Sequence, residues 1–228
     1  MIRLAFVDLD GSFIAGNSFH KWLKFLALAP ASPLPPLARA RVLMLAGLRL
    51  VRLVSHARLK RGVLRLVARA DAEAMAEADA VFAAALAGDI RAPALALVQR
   101  LRQHGVHLVL ATAAPENYAK PFAARNGFDH CLATPAQMGE GWAEMLRARK
   151  AAACTAYRDT RGIDRAQTLA VTDHRDDLPL MAACGIAVWC GAEPELAAVR
   201  ALLGPLAPPL LPLSAAARDA DGLMGAGA

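Results

Sequence analysis

Apolar residues follow two different periods along this chain, and the change between them divides the chain into parts. The stretch IRLAFV at positions 2–7 is short, apolar, and rich in β-branched and aromatic side chains, which predicts a buried strand. From Ser18 to about Gly88 the apolar positions recur at helical spacing instead. A helical segment is therefore expected to follow the first strand directly.

Four helical stretches are predicted within this segment. The first, SFHKWLKFLAL, would begin with Ser18 as its N-cap, and the proline-rich PASPLPP ends it. Two basic stretches follow at about 37–54 and 56–70. The fourth begins with Asp71 as its cap and carries acidic residues in its first turns, which suits the helix dipole. The segment is thus expected to be all-helical.

Helices and strands alternate after Ile90. Strands are predicted at VHLVLAT, HCLAT, QTLAVTD and IAVWC, and a helical pattern precedes each of them. Strands that alternate with helices form parallel sheets that are covered on both faces. We therefore expect a doubly wound, parallel-sheet α/β core of the Rossmann-like type. The first strand belongs to this sheet, and the helical segment is inserted after it as a cap domain.

The order of elements predicts three regions. Residues 1–13 and 91–206 would form the core, and residues 14–90 would form the helical cap. The last region, 207–228, is rich in proline, alanine and glycine. We expect this tail to be loosely docked at first and disordered at its end.

The composition supports a packed core and contains one block of positive charge. Of the 228 residues, 56% are hydrophobic and 20% are charged, which excludes wholesale disorder. Positions 11–70 carry eleven Lys and Arg and no Asp or Glu. Since the whole chain has 26 basic and 20 acidic residues, the other positions carry fifteen basic and twenty acidic residues. The net charge of +6 therefore originates in the helical segment.

Partners and location follow from the charge block, the cysteines and the N-terminus. The basic block lacks interleaved aromatic residues and any groove-reading motif, so no nucleic acid is expected. The four cysteines form no CxxC pair, which argues against zinc and for reduced core thiols. The N-terminal apolar run is too short for a signal peptide. We expect a cytoplasmic protein, with peripheral contact to the inner face of the membrane as the alternative.

Polar residues stand where the predicted strands end. In open α/β sheets, ligands bind at the carboxyl ends of the strands. The residues at these ends are Asp8 and Asp10 after the first strand, Thr112 at the end of the second, Asp173, Asp176 and Asp177 after a later strand, and Lys150 in the helix before that strand. They are therefore candidates for a single site.

These residue types indicate phosphate chemistry with Mg²⁺ as cofactor. Carboxylates in one small volume repel each other unless a cation joins them, and without His or Cys they favour Mg²⁺. A lysine and a threonine hydroxyl can hold phosphate oxygens, and an aspartate can attack phosphorus. A receiver domain uses similar parts, but there the acidic pair precedes the phosphorylated aspartate in a smaller, uninterrupted domain. The order of the residues excludes that alternative.

The order instead resembles that of the haloacid dehalogenase-like phosphatases. DLDGS, LATAAP, Lys150 and TDHRDDLPLM are similar to the four motifs of that family and span nearly the whole core. The helical insertion directly after the first motif is similar to the small cap of the phosphoserine-phosphatase-like branch. The resemblance implies a Mg²⁺-dependent phosphomonoester hydrolase that acts through an aspartyl-phosphate intermediate.

The resemblance also implies roles for residues of the first two motifs. Asp8 would attack phosphorus and ligate Mg²⁺ through its other oxygen. Asp10 would act as general acid and base, and its main-chain carbonyl would be a metal ligand. Gly11 would permit the tight backbone there, and Thr112 with Ala113 would bind the phosphoryl oxygens.

The third and fourth motifs would complete the site. Lys150 would offset the charge on the transferring phosphoryl group. Asp173 would ligate Mg²⁺, and Asp177 would orient the water ligands of the ion or Lys150. The fourth motif departs from the family's usual pattern in reading TDHRDD. Asp176 has no implied role, and His174 is expected to be a loop residue without one.

Residues of the predicted cap bear on the substrate. Asn17 stands nine residues after Asp8, where phosphoserine phosphatases carry a glutamate that meets the substrate's amino group. No acidic residue occurs from there until Asp71, so an amino acid substrate is disfavoured. A basic cap suits a small anionic phosphate ester as substrate.

A membrane surface is the alternative partner. FHKWLKFLAL and ARARVLMLAGLRLVRLV resemble the apolar cap region of phosphatidylglycerophosphatase C-like proteins. Arg41, Arg49 and Arg52 share one helical stripe opposite a wide apolar arc, which is typical of an interfacial helix and equally of a cap helix packed on three sides. We expect the packed arrangement, with a lipid phosphatase as the alternative. The hypothesis of a non-catalytic protein that binds anions or nucleic acid is less favoured than the lipid phosphatase, because all the catalytic positions of the core motifs are kept in this sequence.

Overall fold

Six parallel strands form the central sheet of the computed structural model, which describes residues 1–205 and 207–225. The strands are β1 (Leu4–Val7), β2 (His107–Pro115), β3 (His130–Thr134), β4 (Thr168–Thr172), β5 (Ile186–Trp189) and β6 (Leu210–Pro212). Their order is β3-β2-β1-β4-β5-β6, so β1 lies in the middle between β2 and β4. This order confirms the predicted doubly wound α/β core.

The chain between β1 and residue 90 contains helices, as predicted. The cap helices are α1 (Ser18–Leu28), α2 (Pro36–Leu50), α3 (His56–Val67) and α4 (Ala72–Leu86), and a 3-10 turn at Ala87–Asp89 follows them. An isolated bridge pairs Ile14 with Ile90 where the segment leaves and rejoins the core. We propose that the boundaries of the cap domain lie at this bridge.

Helices of the core cover both faces of the sheet. They are α5 (Ala92–Gln103), α6 (Glu116–Arg125), α7 (Ala148–Asp159), α8 (Leu178–Ala182), α9 (Leu196–Leu203), α10 (Leu213–Arg218) and α11 (Ala220–Gly225). Alternate residues of β1 point to opposite faces, because successive side chains of a strand do so. Ala5 and Val7 pack into the apolar cluster that includes α5, α6 and α10, whereas Leu4 and Phe6 pack against α7, α8 and α9.

The end of the chain differs from the loosely docked tail that its composition predicts. Leu210 is buried in β6, which pairs with β5 at the edge of the sheet, and Leu213 and Ala216 are buried in α10. Proline is tolerated in an edge strand, where its missing N–H faces no neighbour. The expected disorder at the extreme end concerns residues 226–228, which lie outside the described residues.

Two details of the cap also differ from expectation. Asn17, not Ser18, caps α1, because its side chain accepts the N–H of His20 at 2.9 Å. In α2 only Val42 is buried, so the expectation that this helix is packed on three sides is wrong. Across the described residues, no helix is both long enough and apolar enough to cross a bilayer.

Candidate active site

The two aspartates of the first motif lie at the carboxyl edge of the sheet. The N–H of Asp8 still donates to the carbonyl of Val171 in β4 at 2.9 Å, so this residue is fixed to the sheet. The chain then turns tightly, and the N–H of Phe13 returns to the carbonyl of Asp8 at 3.2 Å. The buried strand thus delivers Asp8 and Asp10 to a rigid turn, with Asp8 only 8% exposed.

Lys150 joins the first motif to the fourth. Its Nζ, on α7, lies 2.7 Å from Oδ1 of Asp8 and 2.7 Å from Oδ2 of Asp177. Burial alone would lower the pKa of Lys150, but the two carboxylates raise it above its ordinary value. The lysine is therefore held in its charged form. Asp177 is itself oriented by the hydroxyl of Thr172, which donates to the same Oδ2 at 2.7 Å.

Burial shifts the pKa of the candidate nucleophile upward. Desolvation raises the pKa of Asp8 to about 7, and Lys150 opposes this rise by favouring the carboxylate. Asp177 and Asp10 add to the rise because their charges repel that of Asp8. An additional cation beside Asp8 would favour its ionised form, which is the form that acts as a nucleophile.

Asp173 lies next to Asp8 through a shared hydroxyl group. Ser12 Oγ is 2.8 Å from Oδ1 of Asp173 and 3.3 Å from Oδ2 of Asp8. Burial is the largest cause of the raised pKa of Asp173. Gly11 lies against the same carboxylate with a positive φ of 75°, and a Cβ there would lie 2.0 Å from Oδ2 of Asp173. A glycine is thus required by the backbone conformation and by the space that the carboxylate occupies.

Asp10 connects the core to the cap. Its Oδ1 accepts the N–H of Ser18, the first residue of α1, at 2.6 Å. The hydroxyl of Ser18 in turn lies 3.0 Å from that of Tyr118. Burial is the largest cause that raises the pKa of Asp10, which helps this carboxyl to carry a proton.

The second motif is part of β2, which is longer than its sequence predicts. Thr112 is buried, and its Oγ1 accepts the N–H of Ala114 at 3.1 Å. The carbonyl of Ala113 accepts two hydrogen bonds, from Thr134 Oγ1 at 2.7 Å and from Lys60 Nζ at 3.1 Å. These bonds fix the main chain beside the position where the resemblance places the phosphoryl group.

One cavity of about 520 Å³ brings all the predicted site residues together. Those that line it are Asp8, Asp10, Gly11, Thr112, Ala113, Lys150, Asp173 and Asp177. His174 and Asp176 line it as well, although Asp176 pairs with Arg147 at 2.9 Å and its N–H donates to His174 Nδ1 at 3.1 Å. Residues from three strand ends and one helix thus share a single space.

The sequence analysis did not predict three residues that line the cavity, two from the cap and one from a loop of the core. Lys60 and His56, both on α3, line the cavity, and Glu144 lies opposite Lys60 in the loop before α7. The Nζ of Lys60 is 2.5 Å from Oε2 of Glu144, and both side chains are largely buried. Lys60 is one of eleven basic residues in its block, and nothing in the local sequence distinguishes it from the others.

Arg91 is a fourth residue that the sequence analysis missed. It lies directly after the cap segment, and its Nη1 donates to the carbonyls of Gly11, Ser12 and Cys190, the last at 3.1 Å. A guanidinium group that bonds three carbonyls ties the turn of the first motif to the end of β5. The signal that could have found it is its position at the junction of core and cap.

The carboxylates that line the cavity outnumber its lysines. Four carboxylates, those of Asp8, Asp10, Asp173 and Asp177, line it; Lys150 pairs with two of them, and the second lysine, Lys60, pairs with Glu144. Neither Asp10 nor Asp173 forms an ion pair with any described residue. Asp10 and Asp173 are partly buried, and carboxylates that share a small, partly desolvated volume are costly unless a cation joins them.

Mg²⁺ fits this donor set. Within residues 1–205 and 207–225, no three carboxylate, histidine or cysteine side chains form a metal-binding cluster. The implied ligands are instead two carboxylates, those of Asp8 and Asp173, and the main-chain carbonyl of Asp10. Mg²⁺ usually binds through one or two carboxylates and keeps several waters or phosphate oxygens, so a sparse oxygen set suits it.

Residues 5–182 match the profile of the haloacid dehalogenase-like hydrolases. This range covers most of the chain and includes every predicted site residue from Asp8 to Asp177. The chain belongs to the haloacid dehalogenase-like hydrolases. The family assignment confirms the resemblance that the four motifs indicate. No curated protein matches the chain in sequence.

Solved structures share the fold of this haloacid dehalogenase-like hydrolase. A protein with unknown function from Bordetella pertussis Tohama I is 20% identical, with a TM-score of 0.74 over 93% of this chain and 99% of that one. A substrate-bound phosphoserine phosphatase complex is 11% identical, with a TM-score of 0.58 over 96% and 98%. A predicted phosphatase from Clostridium acetobutylicum is 13% identical, with a TM-score of 0.56 over 97% and 99%. At these identities the likeness establishes the fold alone.

Proposed function

We propose that this hydrolase is a Mg²⁺-dependent phosphomonoester phosphatase that acts through an aspartyl-phosphate on Asp8. The observation that carries the proposal is the position of Lys150, whose Nζ lies 2.7 Å from both Asp8 and Asp177 at the carboxyl edge of the sheet. A buried carboxylate with a fixed cation beside it can attack a phosphoryl group whose charge the same cation offsets.

In the first step, an oxygen of Asp8 attacks phosphorus and the bond from phosphorus to the ester oxygen breaks. The leaving alkoxide takes a proton from the carboxyl group of Asp10. The N–H of Ser18 binds Oδ1 of Asp10, which leaves Oδ2 for this proton transfer. Thr112 and Lys150 hold oxygens of the phosphoryl group during the transfer.

In the second step, Asp10, now ionised, takes a proton from a water molecule that attacks phosphorus. The bond between phosphorus and Asp8 breaks, inorganic phosphate leaves, and both aspartates return to their starting states. Lys150 again offsets the charge of the phosphoryl oxygens. Bound Mg²⁺, held by Asp8, Asp173 and the carbonyl of Asp10, would supply positive charge that balances the phosphate and the carboxylates.

We propose a small phosphate ester as the substrate, anionic through its phosphate group. The cavity of about 520 Å³ suits a small molecule. The sequence argues against an amino acid substrate because the cap lacks an acidic residue to meet its amino group. The structure changes this argument, because Glu144 brings an acidic side chain into the cavity from the core. Since Lys60 neutralises Glu144 at 2.5 Å, neither group is free to bind a charged leaving group while the pair is intact. The cytoplasmic location is part of the same proposal, and the four cysteines, all free thiols, are compatible with it.

The experiment that tests the proposal combines a substrate panel with capture of the intermediate. Purified protein is assayed with sugar phosphates, phospho-amino acids, nucleotides and phosphatidylglycerophosphate, in Mg²⁺ and in EDTA. With the best substrate carrying labelled phosphate, acid quenching should leave label on a peptide that contains Asp8. Asp8→Asn should lose the label and turnover while keeping the circular dichroism spectrum of the folded protein, because an amide oxygen is a poor nucleophile. Turnover above a few per cent of wild type in this variant would refute the proposal.

A further inference from the structure

The solvent side of α2 is apolar. Val42 is the only buried residue of this helix, although most of its side chains are apolar. The large apolar side chains exposed on α2 and the turn after it are Leu37, Leu43, Met44, Leu50, Val51 and Leu53. We call these six residues the apolar α2 face. Leu50 is 84% exposed and Leu53 is 72% exposed, which is far from the usual burial of leucine.

The turn that ends α2 holds part of this face in a fixed conformation. The N–H of Arg52 donates to the carbonyl of Arg49 at 3.0 Å, and the N–H of Leu53 donates to that of Leu48 at 2.8 Å. This pair of bonds is the Schellman motif, whose left-handed residue is usually glycine. Here it is Arg52, with a φ of 61°. An arginine occupies a position that glycine would adopt at lower conformational cost.

The two helices packed beside α2, which are α1 and α3, carry no acidic residue. Lys24 flanks the apolar α2 face on one side, beside Leu43 in the groove between α1 and α2. Arg41 flanks it on the other side, because it lies four residues after Leu37 and three before Met44 on the helix. These side chains and Arg52 are exposed and form no ion pair in the part of the chain that the structure describes. No acidic residue occurs between positions 11 and 70.

We propose that the apolar α2 face docks on the surface of a bilayer that contains anionic lipid. An apolar arc bordered by Lys and Arg is the pattern with which a helix lies in the interface, its apolar side chains among the acyl chains and its cations at the lipid phosphates. The charge argues against a second copy of the chain as occupant, because two such faces would oppose arginines without acidic partners. This proposal concerns the cap surface and does not depend on the proposed catalysis.

The test uses the full chain and vesicles of phosphatidylcholine with or without phosphatidylglycerol. Flotation should carry the protein with the anionic vesicles and not with the neutral ones. Binding should be strong at low salt and should be lost near 1 M salt, where the screening length falls to about 3 Å. These results need no variant, so they remain informative even if a substitution impairs folding.

Two paired variants locate the binding surface. Lys24→Glu with Arg41→Glu should weaken partitioning to anionic vesicles about tenfold or more. The matched control, Arg3→Glu with Arg125→Glu, changes equally exposed arginines of the core and should bind as wild type does. Hydrolysis of a soluble ester should be the same in wild type and in both variants, since none of these residues lines the active site.

A second pair separates the apolar contribution from the charge. Leu50→Ser with Leu53→Ser should also weaken binding about tenfold, because both side chains leave water on docking. Leu202→Ser, at an exposed leucine of α9, is the control and should change nothing. Three outcomes would overturn the proposal. The first is no flotation at low salt, and the second is an equal loss of binding in the charge control. The third is that the protein binds no vesicles and instead forms concentration-dependent dimers that Leu50→Ser with Leu53→Ser abolishes.

Discussion

A Cβ atom added to Gly11 would lie 2.0 Å from Oδ2 of Asp173, although 162 positions separate the two residues in sequence. Gly11→Ala should therefore displace the carboxylate of Asp173 and lower kcat/KM by about 100-fold, since a displacement of 1 Å in a site has effects of that size. Gly16→Ala is the matched control, because Gly16 also has a positive φ but its Cβ would meet nothing closer than 3.8 Å. Both variants should lose stability in urea unfolding because of their positive φ, and Gly11→Ala should lose more because its Cβ overlaps the carboxylate of Asp173. Equal activity in the two would contradict the prediction.

Asp173→Ala should raise the Mg²⁺ concentration needed for half-maximal activity at least tenfold. The reason is that the ion would lose one of its two carboxylate ligands and the charge that balances it. A titration of activity with Mg²⁺ measures the shift, and the circular dichroism spectrum verifies the fold. Full activity in EDTA, or an unchanged Mg²⁺ requirement in the variant, would contradict a metal role for this residue.

Lys150→Met should lower the free energy of unfolding by roughly 3–5 kcal/mol and abolish turnover, because it leaves two buried carboxylates without their cation. Arg147→Met is the control, since it removes a pair whose arginine side chain is 70% exposed, and should cost under about 1 kcal/mol. Adding Asp177→Asn to Lys150→Met should recover part of the stability and none of the activity. Urea unfolding and phosphate release measure the two effects.

Lys60 and Glu144 should be energetically coupled across the contact between cap and core. In a double-mutant cycle with Lys60→Met and Glu144→Gln, the interaction energy should exceed about 1 kcal/mol, because both side chains are largely buried. The pair of Lys21 and Asp89, each about one-third exposed, is the comparison and should show less than about 1 kcal/mol. Lys60→Met should also raise KM, since its Nζ binds the carbonyl of Ala113. A coupling no larger than that of the exposed pair would contradict this prediction.

Asp79 should make the cap less stable as pH rises. Burial raises the pKa of this carboxyl to about 6, although hydrogen bonds from Trp22 and Asn117 oppose the rise. Because the folded pKa lies above the unfolded value of 3.8, proton uptake favours folding. This contribution is fully present below about pH 4 and is lost as pH rises through about 6.

Asp79→Asn should therefore stabilise the protein at about pH 8 by up to roughly 3 kcal/mol, and by much less at about pH 4. The amide oxygen can still accept the indole N–H of Trp22. Glu77→Gln, an exposed change on the same helix, should leave stability unchanged at both pH values. Urea unfolding at the two pH values is the measurement. A pH-independent effect of Asp79→Asn would show that desolvation of the charge is not its cause.

Local patterns in the sequence were sufficient to predict the fold of the core and the motif residues that line its cavity. Strand-like and helical periods follow from side chains that contact near neighbours, so IRLAFV and the later alternation predict a parallel sheet. Because the carboxyl ends of parallel strands meet at one edge, residues that follow different strands converge there. Asp8, Thr112 and Asp173 could therefore be placed in one site without coordinates.

The tertiary structure alone decided the pairings between segments that lie far apart in the chain. Lys60 meets Glu144 and Arg91 binds the turn at Gly11, and neither contact has a local pattern. The burial of a helix likewise depends on what packs against it, so the apolar arc of α2 did not reveal that it faces water. The prolines around Leu210 suggested a loose tail, because composition does not show whether a strand has an edge on which to pair. Each of these features depends on the distance between residues in space, which periodicity along the chain does not encode.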